Sequence, residues 1–364
     1  MALQASTPGN STPAPPIQLY HQSSQYRNWR YSKQGLDKLR KELNEQAVER
    51  MKTLWQEERA QQATTSTSTP SEASSSNPPS AAPTPPPAST SEIDYLTVED
   101  EQLLVTYYLT QIQAMCGAFG FPEMVQATSM SYLKRFYLGN TVMDYHPKNV
   151  MLTCVFLATK TENFPISIDT FSARVKTPSN DILSLEFLVS QSLKFEYKVH
   201  HAHLALNGIL LDLQTIPNID PSTIASSSSK AQSHLRTSRH TTLELLYTPS
   251  QIALSCLSLS SPTLAQSYLS SKTSKPTQTQ KVELEKMEKL LKEIGEVVKE
   301  SKGVDKEKVK EIDKRLKWAR NPEKDPSSAL YKKRKKEEEE EKEQKELEKA
   351  KKRPKVDHDG SVFD

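Results

Sequence analysis

The chain has 364 residues, 35% of them hydrophobic, with 23 prolines, 9 glycines and 48 Lys/Arg against 45 Asp/Glu. Globular chains are usually ~45–50% apolar, so one uniform fold along the whole length is excluded and a compact core with polar extensions is expected. Residues 332–355 hold 12 Lys/Arg and 8 Glu, which leaves the rest of the chain near −1 and argues against a body that binds duplex DNA.

Residues 1–16 read as disordered and carry neither the basic nor the apolar run of a secretory signal. Residues 17–60 form an N-terminal helical segment. Within it Leu36, Leu39, Leu43, Val48, Met51, Leu54 and Trp55 recur at three- and four-residue steps, an amphipathic stripe that needs a surface to dock on. Residues 61–92 are the clearest linker: 27 of the 32 are Ser, Thr, Pro or Ala, and none is a large hydrophobe. Such a segment cannot bury enough surface to offset its ordering entropy.

From residue 93 the pattern is helical, with no period-two strand. Leu104, Tyr107, Tyr108, Ile112 and Met115 make one stripe, and Val125, Tyr132, Leu133 and Phe136 make another. After Pro147 the run 150–158 is apolar nearly all round, which places it at the centre of a bundle. A short helix after Ile166 and a fifth over 181–193, with Ile182, Leu185, Leu188, Val189 and Leu193, complete an all-α domain over 93–196.

The pattern then recurs. Tyr145, Pro147, Leu152 and Cys154 coincide with Tyr247, Pro249, Leu254 and Cys256 at one constant offset, the signature of an internal duplication. In both copies a proline at the first helical position leads into an apolar helix. The second domain, 197–300, opens with Leu204, Leu206, Ile209, Leu210 and Leu213, and its Ser/Thr-rich stretch 220–242 is weakly patterned. Leu284, Met287, Leu291, Ile294 and Val298 either close this domain or form a short coiled-coil seam. Val309, Ile312, Leu316 and Ala319 mark a C-terminal helix over 301–320. A charged tail, 321–364, follows, with no apolar packing expected beyond Trp318.

Ser131-Tyr-Leu-Lys-Arg-Phe-Tyr-Leu138, Tyr145-His-Pro147, Met151-Leu-Thr-Cys154 and Phe156-Leu-Ala-Thr-Lys160-Thr-Glu162 together resemble the first box of the cyclin family. Tyr247-Thr-Pro-Ser-Gln-Ile-Ala-Leu254 is similar to the second box. Tyr20-His-Gln-Ser-Ser-Gln-Tyr-Arg-Asn-Trp-Arg-Tyr-Ser32 resembles the N-terminus of the cyclin-H branch. The resemblance covers roughly 17–60 and 93–320. It implies an all-α fold of two tandem five-helix cyclin-box domains flanked by N- and C-terminal helices. It also implies a non-enzymatic activator of a cyclin-dependent kinase that needs no cofactor. The implied partners are the kinase catalytic subunit, a ring-finger assembly factor and the TFIIH core. The implied kinase-binding residues are Lys160 and Glu186, with Glu162 beside them. Lys134 departs from the acidic residue of many cell-cycle cyclins, as the transcriptional branch does.

Other constellations carry less. Cys116, Cys154 and Cys256 are too few for a disulfide framework or a four-cysteine zinc site, and they sit in apolar patterns, so buried thiols of a reducing compartment are expected. The most apolar windows, 150–158 and 204–213, are too short to span a bilayer. His200, His201 and His203 read as a helix start, not as metal ligands. Asp144 and Glu186 read as a coincidence, not as a catalytic carboxylate pair. Thr7, Thr12, Thr69 and Thr84 precede prolines and are phosphorylation candidates, whereas Thr248-Pro249 reads as a helix cap. Lys332, Lys333, Arg334, Lys335 and Lys336, and Lys351, Lys352, Arg353 and Lys355, are nuclear-import candidates. Two other functional classes stay open. A general transcription factor of the TFIIB type would need a zinc ribbon and a basic face, and a helical scaffold would self-associate through 284–298.

Overall fold

The computed structural model describes residues 19–66, 93–272, 278–301 and 303–352. Thr7, Thr12, Thr69, Thr84, Arg353 and Lys355 lie outside them. A 3-10 turn, Tyr20–Gln22, leads into α1 (Ser24–Asn28) and α2 (Lys33–Ser66). Next come α3 (Val98–Phe119), α4 (Glu123–Phe136), α5 (Pro147–Thr161), α6 (Ile168–Val175), α7 (Ser179–Leu183) and α8 (Glu186–Ser192). The second run is α9 (Ala202–Leu213), α10 (Pro221–Ser238), α11 (Leu243–Leu246), α12 (Pro249–Ser260), α13 (Pro262–Lys272) and α14 (Gln278–Glu300). Then α15 (Lys306–Ala319) and α16 (Ala329–Lys352) follow. No strand occurs among the described residues.

The chain divides into two compact units. One contains 34–193 and the segment after 302; the other contains 194–301 together with the N-terminal residues through Lys33. In the first, α5 is the centre: every residue from Val150 to Thr159 is buried. Each large apolar side chain so enclosed contributes about 1.5–3 kcal/mol. Ala47, Met51 and Leu54 of α2 and Val309, Ile312, Leu316 and Ala319 of α15 share a core with Leu104, Val142 and Met143. Asp144 ties these elements together. Its carboxylate takes the Arg50 guanidinium from α2, the Asn321 side-chain amide at 2.9 Å from the segment after α15, and the Thr141 hydroxyl at 2.9 Å.

In the second unit α12 holds the centre, with Ile252 through Leu257 buried. The reciprocal Thr248–Gln251 capping box and Pro249 start this helix, as the sequence led us to expect. Leu291, Ile294 and Val298 of α14 are buried in the same core, and Ser255 Oγ donates to the Leu291 carbonyl at 2.7 Å. The 284–298 stripe therefore closes this unit, and its buried half has no face left for a coiled-coil seam. The N-terminal motif docks here as well. Trp29 Nε1 donates to Glu196 at 2.6 Å, Gln25 bonds the His200 backbone through both ends of its amide, and the Tyr31 N–H donates to the Leu245 carbonyl.

Four expectations need correction. Helix α2 continues past residue 60 to Ser66, because Gln61, Gln62 and Ala63 are good helix formers and Gln62 Nε2 bonds Glu58 at 2.7 Å. The single helix over 181–193 is two, α7 and α8. Thr153 Oγ1, from α5, donates to the Ile182 carbonyl at 3.0 Å, the acceptor that an unbroken helix would offer to the Glu186 N–H. The weak 220–242 stretch is a full helix, α10. Asp220 caps it, Pro221 stands at its first position, and the buried stripe is Ile224, Ser227, Ala231, Leu235 and Ser238. The small residues bring α12 close, where Ser260 Oγ donates to the Ser227 carbonyl at 2.6 Å. Finally, the segment from 321 is not all tail. It contains α16, Leu330 is buried, and Glu58 of α2 accepts the Ala329 and Leu330 N–H groups at 2.9 and 2.8 Å.

All three cysteines are free and buried. Burial pushes the thiols of Cys116 and Cys256 up to about 12, and that of Cys154 further, so they stay neutral. Among the described residues no helix is long and apolar enough to cross a membrane, and no His/Cys/Asp/Glu group could hold a metal. His201 stands at the N-cap of α9, the helix start expected of the histidine cluster.

Candidate functional site

Lys160 lies in the last turn of α5, exposed at the end of an otherwise buried run. The helix closes in a Schellman turn: the Phe164 N–H bonds the Thr159 carbonyl at 2.8 Å, and the Asn163 N–H bonds that of Lys160 at 3.4 Å. Asn163 takes the left-handed φ of 55° that this turn requires, a conformation asparagine tolerates better than most residues. The turn carries Phe164 to the surface, where it is 45% exposed.

Glu186 opens α8, where a carboxylate faces the positive end of the helix dipole, while Lys160 stands at the negative end of α5. The two side chains form an ion pair, and Lys160 Nζ also lies 4.3 Å from the Phe156 ring centroid. With side-chain exposures of 40% and 24%, the pair contributes no more than about 1 kcal/mol to the fold. Glu162 works differently. Its backbone N–H caps α5 on the Ala158 carbonyl, and its carboxylate accepts the Thr128 hydroxyl at 2.5 Å. Tyr132 donates to Thr161 Oγ1 at 3.0 Å, so α4 clamps the end of α5 that presents Lys160. Asp144 and Glu186 belong to separate networks, as expected of a coincidence. Lys134 is buried within α4, beside a buried Arg135.

Three large apolar side chains on these same segments stay exposed: Phe164, Leu183 at 40% and Phe187 at 65%. The sequence reading did not single them out. Leu183 ends α7 and Phe187 lies in the first turn of α8, whereas Ile182 and Val189 of the same helices are buried. Exposed large apolar side chains beside charged groups are the composition characteristic of protein-binding surfaces.

Residues 91–198 match the cyclin N-terminal domain and residues 201–299 the cyclin C-terminal domain. Cyclin mcs2 of Schizosaccharomyces pombe is 31% identical over 320 residues, 86% of this chain and 89% of that protein. The chain belongs to the cyclin family. Cyclin-H of Xenopus laevis is 35% identical over 177 residues, 46% of this cyclin and 54% of the frog protein. A chain in the structure of the CAK complex from Chaetomium thermophilum bound to ATP-gamma-S is similar with a TM-score of 0.68 at 26% identity. That match covers 94% of this cyclin and 98% of the other chain. A cyclin is a regulatory, non-catalytic subunit. In this cyclin Lys160, Glu162, Glu186 and the three exposed apolar side chains all fall within the N-terminal cyclin match.

Proposed function

We propose that this cyclin binds and activates a cyclin-dependent kinase of the CDK-activating, TFIIH-associated type, and that the surface around Lys160 and Glu186 receives the kinase. The observation that carries this reading is the partly exposed Lys160–Glu186 pair, which joins the end of α5 to the start of α8, on segments that also expose Phe164, Leu183 and Phe187. Kinase catalysis requires the β3 lysine to pair with the αC glutamate while the DFG aspartate holds magnesium. A rigid helical surface that binds only the state with αC swung in shifts the kinase toward it by differential affinity, about 5 kcal/mol for a full switch. The cyclin itself touches no ATP in this scheme. Lys160 and Glu186 supply charged hydrogen bonds, Glu162 steadies the end of α5, and the exposed aromatics supply apolar anchors.

The rest of the reading follows the cyclin-H resemblance: a ring-finger assembly factor, the TFIIH core, phosphorylation of the polymerase II C-terminal repeat, and a nuclear location served by the basic clusters on and beyond α16. Affinity purification of the tagged full chain with mass spectrometry tests it. A protein-kinase catalytic subunit in near-stoichiometric yield is the expected result. Recovery of this chain alone, or with further copies of itself, would overturn the proposal.

A further inference from the structure

The motif over residues 20–32, which the kinase reading leaves without a role, builds a groove of its own in the second unit. Trp29 is buried and bonds Glu196, Gln25 holds the His200 backbone, and the Tyr31 N–H donates to the Leu245 carbonyl at 2.8 Å. These bonds pin the loop after α1 against α11. Between the two lies an open groove of about 470 Å³, whose lining includes Tyr26, Arg30, Tyr31, Lys33, Leu246 and Tyr247.

The groove combines two chemistries. Three tyrosine rings and Leu246 supply apolar walls, and Tyr26 is 38% exposed. Arg30 and Lys33 supply charge, and among the described residues neither forms an ion pair; the Arg30 guanidinium lies 4.9 Å from the Tyr26 ring centroid. Residues 19–33 contain no Asp or Glu, and Glu196, where it meets the motif, is taken up by Asn28 and Trp29. Aromatic-lined grooves suit extended, proline-containing segments, which are ordered at low entropic cost. Two cations without carboxylate partners suit an anion. A phosphate monoester fits them better than a carboxylate, because it brings close to twice the charge and more acceptor oxygens.

We infer that this groove binds an extended peptide in which proline stands beside a phosphorylated serine or threonine. Arg30 and Lys33 meet the phosphate, and the tyrosine rings meet the proline. Such a peptide is the product of a proline-directed kinase, so the groove keeps a partly phosphorylated repeat tail on the complex that is modifying it. That consequence, though not the binding itself, rests on the kinase reading proposed above.

The test is fluorescence anisotropy of the full chain, without kinase, against a labelled peptide of Ser-Pro repeats. The peptide is made unphosphorylated, phosphorylated on its serines, with Glu in place of those serines, and phosphorylated with Ala in place of its prolines. The phosphorylated Ser-Pro form should bind at least about tenfold tighter than the unphosphorylated and Glu forms, and removing its prolines should weaken it about threefold or more. Arg30→Gln with Lys33→Gln should bring the phosphorylated form to within about twofold of the unphosphorylated one, with the melting temperature unchanged. Equal binding of the Glu form would make this a site for acidic segments and overturn the inference. So would a phosphate preference that survives in the double variant, indifference to proline, or no binding of the phosphorylated form. Because the kinase is absent, these failures leave its recovery in the affinity purification untouched, and the two readings fail separately.

Discussion

Glu101 of α3 is largely enclosed, and burial first, then the nearby Asp144, raise its carboxyl from 4.5 to about 7 against the opposing bond from Asn44. The fold therefore favours the protonated form. A raised folded-state pKa gives a contribution that is complete below about 4.5 and is lost as pH rises through about 7. Thermal stability should fall between pH 5 and pH 8 through this group. Glu101→Gln, which keeps an acceptor for Asn44, should remove that part of the fall and stabilise the protein by about 2–3 kcal/mol at pH 8. Parallel melting curves of wild type and variant across that range check it; equal slopes would exclude Glu101 as the source. None of this is legible in the sequence, because Asn44 and Asp144 reach Glu101 from distant parts of the chain. The place of Lys160 at the end of α5 was legible, since the motif around it is local, whereas the exposure of Phe187 was hidden because the 181–193 stripe drew on the apolar residues beside it.

At the scale of elements, the apolar helices α5 and α12 follow from periodicity and the proline that opens each one. Helix α10 was obscured because its buried face is made partly of Ser227, Ala231 and Ser238, small residues that read as polar composition. Helix α16 was obscured because its stabilisation comes from the Glu58 carboxylate, remote in sequence, and from ion pairs that a charge count reports only as a tail. Glu58→Ala should leave two N–H groups at a buried helix start without acceptors. The loss should be about 1–2 kcal/mol, with faster amide exchange over 329–334 than in wild type. Unchanged exchange there would mean that the root is held by Leu330 alone. For the central helix, Cys154→Asp should unfold the first unit by placing a carboxylate at a fully buried position, seen as loss of the cooperative melt.

Across the whole molecule, each compact unit joins a cyclin-box region to chain from elsewhere. Residues through Lys33 complete the unit of 194–301, and the segment after 302 completes that of 34–193. The tandem repeat was readable from the sequence; this exchange of terminal segments was not, because it depends on contacts such as Trp29–Glu196 and Asn321–Asp144. The Ser/Thr/Pro-rich composition of residues 67–92 predicts that they need only reach from α2 to the buried Ile93. Replacing residues 67–92 by Gly/Ser of equal length should leave the melting temperature and kinase activation as in wild type, and a stability loss would show that this segment packs.

The central claim is that one surface of the cyclin switches a kinase by binding its active state. It is tested most directly by titrating purified kinase subunit with the full chain and recording phosphoryl transfer. Truncating charged groups in a desolvated interface costs ~2–5 kcal/mol, so Lys160→Ala with Glu186→Ala should move half-activation to at least about thirtyfold higher concentration. The plateau should stay the same, because the bound kinase still adopts the active state. The melting temperature of the free double mutant should barely change, because a partly exposed ion pair contributes little to the fold. A double mutant that activates at the wild-type concentration would show that the kinase docks on a different surface.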